Sequence, residues 1–198
     1  MRRVRPRSAE ATLTTRAPLR GEAKLHAALS GFDVRVTGRV CLDLGAAAGG
    51  FTRVLLEAGA SRVYAVDAGF GQLLGSLRQD PRVVNLEATN VAALDRRLVP
   101  DPIEVVTIDV SYLALAAAVV QLDRITIASG ADLIGLVKPM FELRLATAPS
   151  DPLIVEAATE RAAAGIVAAG WEVMGAIPSP VLGGRGAVEA LVHARRSR

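Results

Sequence analysis

The chain has 198 residues, 51% of them apolar and 4% aromatic, which suits one domain with a core of small aliphatic side chains. Its one cysteine, Cys41, excludes an internal disulfide framework; with no secretory leader and no apolar run of about 18 residues, a cytoplasmic protein without a membrane partner is expected. The formal charge is only +3, but residues 1–24 carry +5 and residues 194–198 carry +3, so an acidic middle lies between two basic ends suited to phosphates.

In chain order, residues 1–20 are rich in Arg, Thr and Pro and read as a flexible basic arm. Residues 21–194 read as the folded domain and 195–198 as a basic tail. Leu25, Ala28, Leu29 and Phe32 recur at helical spacing, with Lys24 near the start of that helix. A strand at 40–44 runs into the small-residue turn GAAAGG, and a helix at 51–58 is closed by Gly59. The next strand, 62–66, ends in Asp67. A helix at 72–77 stops before Asp80-Pro81, and a strand at 82–86 leads to Asn90, which either caps a short helix or touches a ligand. A strand at 103–108 runs into Asp109, a helix covers 113–127, and a strand at 131–137 ends at Lys138-Pro139. A long Ala-rich helix at 152–169 is followed by strands at 171–177 and 187–193, separated by a Pro- and Gly-rich turn.

Repeated strand–helix units imply a parallel sheet covered by helices on both faces, and two final strands with no helix between them must be antiparallel neighbours. The expected fold is α/β: a Rossmann-like class I methyltransferase arrangement, with a mostly parallel seven-stranded sheet and an antiparallel last strand. In such a sheet, ligands bind beyond the carboxyl ends of the strands, where Asp67, Asp109 and Lys138 fall. Gly45, Gly49 and Gly50 let the backbone approach a ligand closely. The loop lacks the G-x-G-x-x-G spacing of dinucleotide sites. S-adenosylmethionine, which has no pyrophosphate, fits better, with Asp43 and the 45–50 turn near its methionine and Asp67 on its ribose. Cys41 in the first strand is expected to be buried and inert, His26 and His193 to be structural, and Trp171 to pack.

The segments LDLGAAAGGFT, YAVDAGFGQL, RQDPRVV, EATNV, IDVSY, LVKPMFE and AVEALVH together resemble successive motifs of the haemolysin-A-like, TlyA-type methyltransferases, which have the FtsJ-type ribose 2′-O-methyltransferase fold. The likeness runs from about Leu19 to the end of the chain. It implies methylation of ribosomal RNA, free or in a ribosomal subunit, with a reactive set made of Lys24, Asp109, Lys138 and Glu189. It also implies a cofactor pocket lined by Gly45, Gly49, Phe51, Asp67 and Asn90. A ribose hydroxyl must lose its proton near the transition state, and a lysine can take it only when its own pKa is lowered; burial and a second cation lower it, neighbouring carboxylates raise it. Lys138 is the expected general base, with Lys24 beside it and Asp109 and Glu189 fixing the two amines. The sulfonium already carries positive charge, so the leaving group needs no metal. Family members usually begin with an RNA-binding domain, where this sequence has only its basic arm. Two other readings therefore remain: methyl transfer to a small-molecule hydroxyl, and a non-catalytic RNA-binding protein that keeps the fold.

Overall fold

Short apolar runs rich in β-branched Val and Ile and bounded by turn residues suit strands buried on both faces. In the computed structural model, which describes residues 17–147, 149 and 151–197, they form the centre of one seven-stranded sheet. Its strands are β1 (Val40–Leu44), β2 (Arg62–Val66), β3 (Val83–Leu86), β4 (Ile103–Ile108), β5 (Ile127–Val137), β6 (Trp171–Pro178) and β7 (Ala190–Arg196). The order across the sheet is β3-β2-β1-β4-β5-β7-β6. The first five strands pair in parallel, and β7 is antiparallel to both β5 and β6.

Alternate residues of each central strand enter two separate cores. Leu42, Leu44, Val106, Ile108 and Leu133 point to one face, where α4 (Leu115–Val120) and α6 (Pro152–Ala168) cover them. Cys41, Val63, Ala65, Val105 and Ile134 point to the other, under α1 (Arg20–Gly31), α2 (Gly50–Glu57) and α3 (Gly75–Arg78). A one-turn helix, α5 (Pro139–Glu142), follows β5 directly. Cys41 is fully buried, and burial pushes its thiol up to about 12, so it is the inert core thiol that its position suggested.

Four elements differ from the sequence reading. The helix expected at 72–77 begins only at Gly75; before it, the N–H groups of Gln72 and Leu73 donate to the Glu87 carboxylate. The helix expected at 113–127 ends at Val120 in a 3-10 turn, and β5 starts earlier, at Ile127, pairing with Ile103. The last strand lies three residues further along than expected. Ala187 donates to the Gly184 carbonyl and accepts from the Gly183 N–H, so residues 183–187 form a closed turn and the ladder begins only at Ala190. Arg195 and Arg196, read from the sequence with the basic end of the chain, therefore belong to the sheet. Arg195 meets Asp132 at 3.1 Å, and Arg196 reaches Asp123 at 3.7 Å and lies over the Trp171 ring. Of the expected N-terminal arm, residues 1–16 lie outside the described residues.

Candidate active site

The carboxyl ends of β1, β2, β4 and β5 open on one side of the sheet, and the loops leaving them build three adjoining cavities. The first, about 310 Å³, lies between the glycine loop and the ends of β2 and β4; Gly45, Ala47, Asp67, Gly69, Asp109 and Ser111 are among its walls. The second, about 330 Å³, shares Gly45, Ala47 and Asp109 with it and extends past Phe51 to Arg20. The third, about 290 Å³, meets the first at Ser111 and holds Lys138, Met140, Phe141, Arg185 and Glu189.

The loop after β1 is shaped by close approach. Gly45 has φ +88°, and a Cβ there would run into the Asp109 carbonyl group, its carbon 2.7 Å away. Only glycine keeps β1 and β4 this near each other and leaves the cavity open between them. Asp67, on the opposite wall, accepts from the N–H of Ala47 at 2.9 Å and of Gly69 at 2.7 Å. Each carboxylate oxygen has a second lone-pair direction, so Asp67 both ties the two loops together and can still accept from a ribose diol.

Two ion pairs border these cavities, one at the junction of the first and third and one behind the third. Lys138 Nζ lies 2.6 Å from Asp109 Oδ1, and it donates to Ser111 Oγ at 2.7 Å and to the Val110 carbonyl at 3.1 Å. Three acceptors match the three protons of an ammonium, so the amine is held along three directions. Lys24 Nζ donates to Glu189 Oε2 at 2.6 Å, with both side chains almost fully buried. Burial of two opposite charges is tolerated because each is the other's partner. Glu189 is pressed from behind by Gly183: a Cβ there would lie 2.5 Å from the carboxyl carbon. Glu142, at the end of α5, sends its carboxylate to the N–H of Leu115, the first residue of α4. It thus clamps the loop carrying Asp109 and Ser111 to the segment carrying Lys138, and burial pushes its carboxyl above the usual range.

Lys24, Asp109, Lys138 and Glu189 thus form two ion pairs, and Lys138 and Glu189 share the third cavity. Gly45, Gly50, Phe51 and Asp67 line the first two cavities. Three expected cofactor residues sit differently. Asp43 is completely buried behind the loop, accepting from Thr52 Oγ1 at 2.6 Å and Thr107 Oγ1 at 2.9 Å; burial, opposed by those two hydrogen bonds, raises its pKa to about 6. Gly49 has φ +97° and faces Leu73 and Leu77, so packing under the loop demands it. Asn90 accepts from the Ala92 N–H and caps the short turn at Val91–Ala93, the capping alternative of the sequence reading. Gly50 has a structural reason as well, since it meets Gly21 where α1 and α2 touch. Ser111, Tyr112, Gly183 and Arg185 were not singled out from the sequence. Ser111 and Tyr112 stand in the IDVSY segment beside Asp109, and the glycine run around Arg185 was the only sign of a tight turn there.

Among the described residues, no helix is long and apolar enough to cross a membrane. The sequence profile of the FtsJ-like methyltransferases matches residues 18–196. Over 182 residues the chain is 41% identical to the 16S/23S rRNA (cytidine-2′-O)-methyltransferase TlyA of Mycobacterium tuberculosis, with 89% of this chain and 67% of that protein covered. It is 32% identical over 184 residues to Hemolysin A of Brachyspira hyodysenteriae, covering 88% and 75%. A solved structure of a candidate hemolysin from Streptococcus thermophilus superposes with a TM-score of 0.85 at 36% identity, over 90% of this chain and 66% of that one. The chain thus spans about two thirds of the length of the first and last of these relatives.

Proposed function

The chain belongs to the FtsJ-like methyltransferase family, and from that premise we propose that it methylates the 2′-hydroxyl of a ribose in ribosomal RNA, with Lys138 as general base. S-adenosylmethionine is the cofactor and, when bound, supplies an electrophilic methyl group on a sulfonium sulfur. The residues fit it. Gly45 leaves the opening that a Cβ would fill, and Asp67 offers carboxylate oxygens to a ribose diol. The second cavity, continuous with the first at Gly45, Ala47 and Asp109, gives the amino-acid part room.

One observation carries the reading: the Lys138–Asp109 pair stands on the wall between the cofactor cavity and the third cavity, so a hydroxyl entering the third cavity meets the amine. Asp109, Ser111 and the Val110 carbonyl aim the amine. An incoming hydroxyl would take the place of Ser111 Oγ, and Lys138, once its ammonium has released one proton to solvent, would accept the hydroxyl proton at Nζ. A positioned base of this kind contributes of order 10²–10⁴-fold. The remainder comes from alignment, which the buried Lys24–Glu189 pair supports from the far side of the third cavity. Phe70 and Tyr112, 84% and 44% exposed, stand on the loops that border the cofactor cavity, where an unpaired base can stack on them. The relative named above that acts on ribosomal RNA, the one from Mycobacterium tuberculosis, suggests the substrate class.

The test is transfer of a labelled methyl group to separated ribosomal subunits and to bare ribosomal RNA, with mapping of the modified nucleotide. The Lys138→Ala protein is expected to lose transfer while S-adenosylhomocysteine still binds in calorimetry. Undiminished transfer by that variant removes Lys138 as the base, and transfer to a base or a protein instead of a ribose removes the reaction.

A further inference from the structure

The reactive centre is electrically balanced. Lys24 is matched by Glu189 and Lys138 by Asp109, so the two ammonium groups leave no net charge for an anionic substrate. Ribose cannot approach without its phosphates, since the 2′-hydroxyl carbon is bonded to the carbon whose oxygen carries the 3′ phosphodiester. Whatever RNA brings its ribose to Lys138 also brings that anion to the walls of the same cavity.

Lys138 and Arg185 are the two cations on those walls. Lys138 is committed to three acceptors, whereas the exposed Arg185 has no hydrogen bond or ion pair with any described residue. Its place in the chain is unusual. Arg185 has φ +57° and ψ +26°, left-handed geometry that favours glycine, and its neighbours in GGRG are glycines. The turn is closed beneath it by the Gly183 N–H to Ala187 carbonyl bond, which holds Arg185 at the tip while Gly183 lies on the Glu189 carboxylate. A charged residue thus occupies the position where glycine would be least strained, on the loop that abuts a member of the reactive set.

We propose that Arg185 grips the phosphodiester next to the target ribose and so sets the distance of the 2′-hydroxyl from Lys138. The guanidinium suits this role because its fork makes paired hydrogen bonds to phosphate oxygens, which adds direction to the attraction. The assignment rests on RNA being the substrate. Arg185 is a positioning residue: it holds the strand and takes no part in the proton or methyl transfer.

Arg185→Gly and Arg185→Lys test it, since glycine fits the left-handed backbone and lysine keeps the charge without the fork. Binding of purified ribosomal RNA is measured by filter retention across a salt series, with S-adenosylhomocysteine affinity and melting temperature as controls. Each lost phosphate contact removes about 0.7–0.9 from the slope of log K against log salt. Arg185→Gly is expected to lower the slope by about that amount and to slow methyl transfer, with cofactor affinity unchanged and the melting temperature not lowered. Arg185→Lys is expected to recover the slope but only part of the rate. An Arg185→Gly slope equal to that of the parent chain overturns the proposal while leaving RNA as substrate. A parent chain with no salt-dependent RNA binding overturns both.

Discussion

Replacing Gly183 by alanine displaces the Glu189 carboxylate without changing Glu189 itself. Gly183 has φ −71° and ψ −168°, extended backbone that alanine adopts freely, so the substitution carries no conformational penalty of its own. The added Cβ, however, would lie 2.5 Å from the carboxyl carbon of Glu189 and 2.9 Å from its Oε2. Ordinary carbon–carbon contact is about 3.5 Å, so the carboxylate or the turn must retreat by roughly 1 Å. The Lys24–Glu189 bond of 2.6 Å then stretches beyond hydrogen-bonding range. A shift of about 1 Å in a positioning group lowers turnover by about 10²-fold, near 2.7 kcal/mol in the barrier. Single-turnover methyl transfer to ribosomal RNA reads this directly, and calorimetry with S-adenosylhomocysteine serves as the control, because neither Gly183 nor Glu189 lines the cofactor cavity. Glu189→Ala and the double variant complete a cycle in which the second change adds nothing to the first. Gly183→Ala turning over within twofold of the parent chain refutes the reasoning, as does full additivity with Glu189→Ala.

Asp43 and Glu142 give two more. The folded pKa of Asp43, about 6, lies above its unfolded value of 3.8, so ionising it in place opposes folding, and stability falls as pH rises through about 6. Asp43→Asn is therefore expected to raise the melting temperature more at pH 8 than at pH 5 and to leave cofactor affinity within about threefold; a large loss of affinity would show that the carboxylate acts on the ligand. Glu142→Ala leaves the buried Leu115 N–H without its acceptor, at about 1–3 kcal/mol, and is expected to lower the melting temperature by several degrees and slow transfer, whereas Glu142→Gln keeps the acceptor and much of both. Equal behaviour of the two Glu142 variants in melting and turnover would remove the clamp.

Much of this protein is readable from its residues, for identifiable reasons. β1, β2 and β4 are legible to the residue because both faces of each are largely buried, so few polar residues interrupt their apolar runs; Asp43 and Thr107 are two of them, and they hydrogen-bond to each other. The stretch at 72–74 misleads because its helical spacing is real, while its backbone is tied instead to Glu87, well over ten residues away, by a contact that no local pattern reveals. The start of β7 misleads because Ala187 and Val188 look like strand, while the glycine turn before them bends the backbone out of the ladder. At the site, Asp67 and Asp109 follow from their places at strand ends. Asp43 does not, because three acidic residues near one loop look alike until their directions are known. The partnership of Lys24 with Glu189 left no local trace, and only the resemblance to a family pointed to it.

That partnership joins residues 165 positions apart, the first described helix to the residue just before the last strand. The glycine loop, Asp67 and Asp109 all precede residue 113, so these cavity residues are synthesised before β5 and β7. Lys24 waits for Glu189, and Glu189 is held by a turn that closes only at Ala187. Synthesis of the cavity residues is not yet a folded cavity: Val66 and Val110 beside them share one core with Leu133, Ile166 and Val192, so the cavity and the buried pair both form only when the chain is nearly complete.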